Sequence, residues 1–232
     1  MMNLTSPARA VIPSLDADVL MALAGVTLPM TGRQVARLIG ANNHSGVGTV
    51  LQRLTVQGVV SATAAGNAFL YILNRNHVSF PAIKALTDLR GVLFERISTL
   101  VSEWKVPPLC VAVFGSAARG DGNVNSDIDI LIVRDGQSHR LNPKSHINLK
   151  TQNSNLTTDI WDSQLLELSQ LTYLWSGNKA SLIQTTKSQL AAMFARGEQI
   201  TASLHDEAQL IWGADVITEI EEEYERSKAT TK

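Results

Sequence analysis

The sequence has one cysteine, Cys110, among its 232 residues. A single thiol excludes a disulfide framework, and with no second Cys or His at ligand spacing it also excludes a structural zinc site. The chain has no apolar run of about 18 residues that could span a bilayer, and no basic start followed by an apolar stretch of about 7–15 residues that would mark export. We therefore expect a cytoplasmic protein with no membrane partner.

Charged residues are also scarce, at 18% of the chain, whereas hydrophobic residues make up 44%. This composition is typical of a globular protein, and the length favours two domains. Lysine and glutamate are absent from residues 1–80, which carry five arginines against two aspartates, a net charge of +3. The remaining residues have 15 basic and 19 acidic side chains, a net charge of −4. This asymmetry favours an electrostatic partner for the first part of the chain.

Apolar residues at helical spacing predict three helices, in residues 14–26, 31–40 and 45–58. Two β-rich segments follow, at residues 59–63 and 68–73, and the sequence Ala-Ala-Gly-Asn between them predicts a hairpin. Three helices followed by a hairpin resemble the winged helix-turn-helix family over residues 14–76. We predict such a domain in residues 1–80.

The resemblance implies DNA binding, with the third helix in the major groove and the preceding helix against the backbone. The outward face of the third helix and its flank supply polar side chains for bases, and the preceding helix supplies two arginines for phosphates. The DNA-binding candidates are Arg33, Arg37, His44, Ser45, Thr49, Gln52 and Arg53. The alternative is that this domain packs against the other domain or a protein partner. The sequence does not set the oligomeric state, and a dimer would be compatible with it.

A helical stripe of apolar residues runs through residues 82–104 and ends before the pair Pro107-Pro108. Proline interrupts a helix because its ring clashes with the preceding turn and it has no N–H to donate. We predict one connecting helix in residues 81–106, leading into a second domain at residues 107–232.

The second domain opens with a continuously apolar run at residues 109–115, which predicts a strand buried on both faces. Gly115 and Ser116 follow it directly and supply a tight turn, backbone N–H groups and a hydroxyl. These are the groups that bind phosphate at the start of a helix, and residues 117–120 would form that helix. Arg119 could reach the same phosphate or stabilise the fold.

Two carboxylates, Asp127 and Asp129, lie at the start of the next predicted strand. Side chains alternate along a strand, so both carboxylates lie on one face, roughly 6.6 Å apart, while Ile128, Ile130 and Ile132 face the core. Two such carboxylates can hold Mg²⁺, which completes its coordination with water and substrate phosphates. This pattern indicates phosphoryl or nucleotidyl transfer with two metal ions.

The sequence from Gly115 to Asp129, with Gly-Ser, Ala-Arg-Gly and Ser-Asp-Ile-Asp in order, resembles the nucleotidyltransferase superfamily of DNA polymerase β and its small bacterial members. The resemblance implies an α/β (α+β) domain with a mixed sheet, an NTP substrate and two Mg²⁺ or Mn²⁺ ions. It assigns nucleotide binding to Gly115, Ser116, Arg119 and Ser126, and metal binding and catalysis to Asp127 and Asp129.

The superfamily uses a third carboxylate on a neighbouring strand as the base for the acceptor hydroxyl. The segment at residues 155–162 predicts a short strand, and we assign the third metal-binding and catalytic carboxylate to its Asp159. Asp162 is the alternative, on the opposite face of that strand.

Beyond this segment, residues 163–203 have a mostly helical pattern, residues 208–213 predict a strand, and residues 219–228 predict a charged helix. The sequence thus predicts a Mg²⁺-dependent enzyme that moves an NMP from an NTP to a hydroxyl of a protein, tRNA or small molecule. A toxin–antitoxin or defence role, with a protein acceptor encoded nearby, fits the family. The alternative is a transcription regulator whose second domain only senses a nucleotide.

Overall fold

A computed structural model describes residues 1–41, 44–135 and 156–230, without the side chains of residues 156–159 and 227–230. The chain divides into two compact units, Met2–Val92 and Leu93–Lys232, and Met1 belongs to the second. This division falls inside the segment predicted to connect two domains. Within the described ranges, no helix combines the length and the apolar character that crossing a bilayer requires.

The first unit contains helices and short strands in the order predicted from the sequence. A 3₁₀ turn at Pro7–Ala10 precedes α1 (Leu15–Ala24), β1 (Met30–Thr31), α2 (Gly32–Leu38), α3 (His44–Val56), β2 (Val60–Ala65), β3 (Ala68–Leu73) and α4 (Phe80–Thr87). The strands pair antiparallel in the order β1-β3-β2. The three predicted helices and the hairpin are therefore confirmed as elements of this unit.

Local sequence signals account for the helix starts in this unit. The Ser14 hydroxyl accepts a hydrogen bond from the amide of Asp16 at the start of α1. Thr31 and Gln34 form a capping box at α2, in which each side chain satisfies an amide of the other residue. Apolar side chains from α1, α2, α3 and the hairpin then meet in one core, which includes Leu23, Val35, Leu51 and Leu73.

The prediction of a single connecting helix in residues 81–106 is wrong. The structure has α4 and a separate α5 (Leu89–Ser102), with Asp88 between them in a non-helical conformation. Gly91 lies in the first turn of α5, and a Cβ placed there would lie within 3 Å of the Asp88 carboxylate. Asp88 thus separates the two helices, and its carboxylate lies over the first turn of α5.

The second unit is built around a four-stranded sheet. After α5 it contains β4 (Cys110–Phe114), α6 (Gly115–Arg119), β5 (Ile128–Arg134), α7 (Leu156–Ser176), β6 (Ala180–Thr186), α8 (Lys187–Arg196), α9 (Gln199–Glu207), β7 (Gln209–Gly213) and α10 (Val216–Thr230). The strand order is β6-β5-β4-β7. β5 pairs parallel with β6, and β4 pairs antiparallel with β5 and β7, so the predicted mixed sheet is confirmed.

Two predictions in this unit are wrong. Residues 155–162 were expected to form a strand, but α7 begins at Leu156, and its buried side chains Trp161, Leu165, Leu168 and Thr172 follow the helical repeat. Residues 180–186 were expected to be helical, but they form β6, which begins after a turn at Gly177 with a positive φ of 75°. Pairing with β5 over seven residues decides this outcome.

Cys110 begins β4 and is fully buried between β5 and β7. Burial raises the pKa of its thiol to about 11, since the thiolate would lose its hydration, and the charge of Asp215 adds to this effect. The thiolate is the reactive form, so we expect the native protein to resist thiol reagents at pH 8. One thiol should react after unfolding in guanidinium. Rapid labelling of the native protein would contradict the buried position.

Candidate nucleotide and metal site

The candidate site lies at the start of β5. Asp129 is the second residue of this strand and is half-buried, whereas Asp127 precedes the strand and is exposed. Ile128 and Ile130 are fully buried on the opposite face. The alternation predicted from the sequence is therefore present at the start of β5, and the charge of Asp127 acts on Asp129.

Gly115 lies directly against one of these carboxylates. Phe114, the last residue of β4, pairs with Asp129, so the chain turns into α6 beside that carboxylate. Gly115 has a φ of 66°, and a Cβ there would lie 2.7 Å from the Oδ2 atom of Asp129. Both the backbone conformation and the space at this turn thus require glycine.

The environment of Asp129 disfavours its negative charge. Burial raises the pKa of this carboxyl because the ionised form loses hydration, and the nearby charge of Asp127 raises it further. A hydrogen bond from the Ser181 hydroxyl and the positive charge of Arg119 act in the opposite direction. A cation bound between Asp127 and Asp129 would stabilise the ionised carboxylate and offset both effects.

Arg119, at the end of α6, forms ion pairs with two carboxylates. Its guanidinium lies 2.9 Å from Asp121 and 2.6 Å from Glu207, and hydrogen bonds to both raise its pKa. The side chain of Gln209 donates to the carbonyl of Ala118 at 2.9 Å. The end of α9 and the start of β7 therefore position α6 beside Asp129.

The loop between α6 and β5 is held by hydrogen bonds around two predicted site residues. The carbonyl of Ser116 accepts from the amides of residues 120–122 at 3.0 to 3.3 Å. The Ser126 hydroxyl accepts from the amide of Asn123 at 2.9 Å, and its carbonyl accepts from the Asn178 side chain at 2.9 Å. Ser126 thus shapes the loop that leads to Asp127.

Asp159 lies in the first turns of α7, and its side chain is outside the described residues. Trp161, two residues further on, donates to the side chain of Gln184 at 3.0 Å and lies under the guanidinium of Arg134. Arg134 is the last residue of β5 and Asp129 is the second, so Trp161 lies near the end of the strand that is further from Asp129. Asp162, the alternative, is exposed, and its charge acts on Arg134. The assignment of Asp159 as the third carboxylate stays a prediction.

The arrangement fits one divalent cation. Asp127 and Asp129 supply two neighbouring carboxylates, and Gly115 leaves the space that a side chain would fill. Mg²⁺ is held in proteins by one or two carboxylates together with water and substrate phosphates. Among the described residues, no group of three or more His, Cys, Asp or Glu side chains could hold a metal.

Sequence reasoning missed four residues that shape this site: Ser181, Asn178, Glu207 and Gln209. Ser181 lies in β6, beside Asp129, and Asn178 is fully buried in the turn before β6. The signal for this strand was present in Gly177-Asn178 followed by a run ending in Thr185 and Thr186, a turn and then residues that favour strands.

The DNA-binding candidates are all exposed in the first unit: Arg33, Arg37, His44, Ser45, Thr49, Gln52 and Arg53. Arg53 forms an ion pair with Asp16 of α1, and the Thr49 hydroxyl donates to the carbonyl of Ser45 at 3.1 Å. Arg33 and Arg37 form no ion pair with any described residue, so they are the cations of α2 that remain available to a partner.

Comparisons with known proteins agree with the geometry of the second unit. Residues 95–188, less than half of the chain, match the family model described as Nucleotidyltransferase domain. This match covers β4, α6, β5 and β6 and includes Asp127 and Asp129. No curated protein sequence matches the chain.

Two solved structures share a likeness with part of the chain. One is a toxin–antitoxin complex with AMP-PNP, at 16% identity and a TM-score of 0.34. The other is a mutant form of the toxin–antitoxin MntA-HpeT, at 14% identity and a TM-score of 0.34. Each match covers 59% of this chain and 90% of the other.

Proposed function

We propose that the second unit is a nucleotidyltransferase that moves an NMP from an NTP to a hydroxyl acceptor in the presence of Mg²⁺. The observation that carries this proposal is the meeting of Gly115 with Asp129 at the start of a strand that also presents Asp127. The family match at residues 95–188 supports the class of reaction. In this reaction the acceptor hydroxyl loses its proton and its oxygen bonds to the α-phosphorus. The bond between the α-phosphorus and the oxygen that bridges to the β-phosphorus breaks, and pyrophosphate leaves with that oxygen and the electron pair.

Each residue of the site has a distinct role in this proposal. Asp127 and Asp129 hold Mg²⁺, or Mn²⁺ in its place, and a bound ion would polarise the phosphate oxygens. Gly115 and Ser116 offer backbone amides and a hydroxyl to the phosphates, while Ser126 holds the loop. Arg119 lies near Asp129 and positions α6 through its ion pairs.

The experiment that tests this function compares two labels on the same nucleotide. ATP and the other NTPs, labelled at the α or the γ phosphorus, are incubated with the protein, Mg²⁺ and a cell extract. A protein encoded beside this chain is the first purified acceptor to try, followed by tRNA. We expect α-label on the acceptor and γ-label in released pyrophosphate. Transfer of γ-label to the acceptor would instead indicate a kinase.

We also propose that the first unit is a winged helix that binds DNA through α2 and α3. Its exposed polar residues on α3 support this proposal, as do the two arginines of α2, which form no ion pair with a described residue. The hairpin has no charged residue between Val60 and Leu73, so it offers no cation to phosphates. Electrostatic attraction to DNA would therefore rest mainly on Arg33 and Arg37.

Replacing both Arg33 and Arg37 by alanine is expected to make the plot of log affinity against log salt less steep. The magnitude of its negative slope should fall by about 2, since each phosphate contact contributes about 0.9. The measurement is a salt titration of binding to the DNA upstream of the protein's own gene. Lys84→Ala is the matched control, because Lys84 is an exposed cation of α4 in the same unit. An equal loss in the control, or no binding of the wild type at low salt, would contradict the proposal.

A second candidate function is a regulator that senses a nucleotide without transferring it, because one chain joins a candidate DNA-binding unit to a candidate nucleotide site. A sensor would bind DNA differently with and without NTP and Mg²⁺, and it would transfer no α-label. Gel shifts with both nucleotide states, run beside the label assay, distinguish the two functions.

A further inference from the structure

Two roles are open to Arg119 in the sequence, binding a phosphate or stabilising the fold. In the structure its Nε atom donates to the Oδ2 atom of Asp121 at 2.9 Å, and its Nη1 atom lies 2.6 Å from the Oε2 atom of Glu207. Two carboxylates thus share this guanidinium. A phosphate would have to compete with both of them for its N–H groups.

The two carboxylates differ in their exposure to water. The side chain of Asp121 is 60% exposed, whereas the side chain of Glu207 is 18% exposed. Water screens an exposed ion pair, so that pair contributes little, but a mostly buried carboxylate that loses its cation is left with an uncompensated charge. Glu207 is therefore the partner that decides where the Arg119 side chain lies.

The segment that carries Glu207 holds α6 at a second point. Glu207 ends α9, which packs against both β4 and α6. Two residues later, the side chain of Gln209 donates to the carbonyl of Ala118, the neighbour of Arg119, at 2.9 Å. Since α6 begins at Gly115, directly after β4, these two contacts fix the turn to which the proposed function assigns the phosphates.

We propose that Glu207 is a positioning residue of the nucleotide site, which holds α6 in place through Arg119, and that Arg119 itself does not bind the phosphates. The charge of Arg119 acts on Asp129, so the ion pair lies close enough to the candidate metal site to influence it. In this arrangement the cation offsets the charge of Glu207, which would otherwise repel the phosphates. The proposal rests on the proposed nucleotide-binding function and assigns a role in it to the end of α9.

A double-mutant cycle distinguishes a positioning role of Arg119 from direct contact with a phosphate. Arg119→Met is introduced into the wild type and into Glu207→Gln, and calorimetry measures the Kd of α,β-methylene-ATP with Mg²⁺ for each full-length protein. We expect Arg119→Met to weaken binding at least about tenfold in the wild type, because it leaves the charge of Glu207 uncompensated. In Glu207→Gln the same substitution should weaken binding by less than about threefold, because no mostly buried carboxylate then loses its cation.

Arg196→Met is the matched control for Arg119→Met. Arg196 pairs with Glu198, two residues away, at 2.6 Å in the same unit, so the substitution removes the same charge from an exposed ion pair. We expect this variant to bind the analogue within about twofold of the wild type. All titrations are run below the unfolding midpoint of every variant, so that a lower affinity does not reflect loss of the fold.

Hydrogen exchange tests the position of α6 in the absence of nucleotide. The amides of residues 120–122 donate to the carbonyl of Ser116 at 3.0 to 3.3 Å, so their exchange reports the opening of α6 and of the turn that follows it. We expect these amides to exchange at least about threefold faster in Arg119→Met and in Glu207→Gln than in the wild type. Arg196→Met should leave their exchange unchanged.

An equal loss of affinity from Arg119→Met in both backgrounds would overturn the proposal, because it would show that Arg119 contacts a phosphate directly. A loss in neither background would also overturn it, since the ion pair would then have no effect on the nucleotide site. The same holds if neither substitution accelerates exchange at residues 120–122, because Glu207 would then not hold α6 in place.

Failure of this proposal can be told apart from failure of the proposed function. A wild type that does not bind the analogue overturns the nucleotide-binding function, and the positioning role with it. A wild type that binds the analogue and loses affinity equally in both backgrounds supports nucleotide binding and overturns only the positioning role. The expected cycle without transfer of α-label supports the positioning role and overturns the transfer.

Discussion

Asp129→Asn is expected to reduce transfer of α-label by about a thousandfold or more, because a carboxylate that holds the metal accounts for several kcal/mol of transition-state stabilisation. The variant should nevertheless be at least as stable as the wild type at pH 7. Burial and the charge of Asp127 raise the pKa of Asp129, so the ionised carboxylate destabilises the native state. Asparagine removes that charge and still accepts the hydrogen bond from Ser181.

The stability difference between Asp129→Asn and the wild type is expected to depend on pH. A carboxyl group with a raised pKa in the native state favours folding at low pH and loses that contribution as the pH rises through its native value. The advantage of the asparagine variant in unfolding midpoint should therefore shrink as the pH falls, because the carboxyl of Asp129 then becomes protonated in the native state. Midpoints measured without Mg²⁺ between pH 4 and 8 check this.

The matched control for Asp129 is Asp135→Asn. Asp135 is an exposed carboxylate just after β5, at the end of the strand opposite Asp129. The control makes the same change in charge, and we expect it to leave label transfer within about twofold of the wild type, as for most surface substitutions. Full transfer by Asp129→Asn, or an equal loss in both variants, would remove Asp129 from the metal site.

The sequence was sufficient to predict the half of the site that is close in the chain. β4, the turn at Gly115, α6 and the start of β5 follow one another within 20 residues, so their contacts depend on short connections and on alternation along a strand. Gly115 therefore meets Asp129 for reasons that a local pattern contains. The confirmed order of α1 to α3 and the hairpin has the same basis.

The other half of the site depends on pairing between distant parts of the chain. Ser181 meets Asp129 only because β6 returns beside β5 after the 21 residues of α7. The segment around Asp159 alternates like a strand over eight residues. Its helical repeat becomes clear only when Trp161 is followed through Leu165 to Leu168. A serine also carries no motif that would identify it as part of a metal site.

The break between α4 and α5 could not be predicted from periodicity, because it depends on contacts between neighbouring residues. The apolar stripe in residues 82–104 continues across Asp88, so periodicity alone predicts one helix. The break falls at Asp88, whose carboxylate lies over the start of α5 where Gly91 leaves room for it. A pattern of apolar and polar residues does not reveal this contact. The combination of Asp88 with a glycine three positions later is the sequence signal that indicates it.

Gly115→Ala is expected to destabilise the second unit and to abolish binding of the ATP analogue α,β-methylene-ATP in the presence of Mg²⁺. Its φ of 66° costs alanine about 1–2 kcal/mol, and the new Cβ would lie 2.7 Å from the Oδ2 atom of Asp129, at a further cost of about 1–3 kcal/mol. Urea unfolding measures the free energy, and the thermal midpoint with both ligands measures binding.

Gly197→Ala is the control that separates the cost of the backbone conformation from the cost of the contact with Asp129. Gly197 has a φ of 62° in the same unit, and a Cβ there would meet nothing within 4 Å. This control should pay only the cost of the backbone conformation, about 1–2 kcal/mol, and it should keep full binding. The difference between the two variants then measures the contact with Asp129 alone. Equal losses of stability, with binding kept in both, would mean that the carboxylate moves aside at no cost, and the close approach of Gly115 would then have no part in holding Asp129 toward the metal.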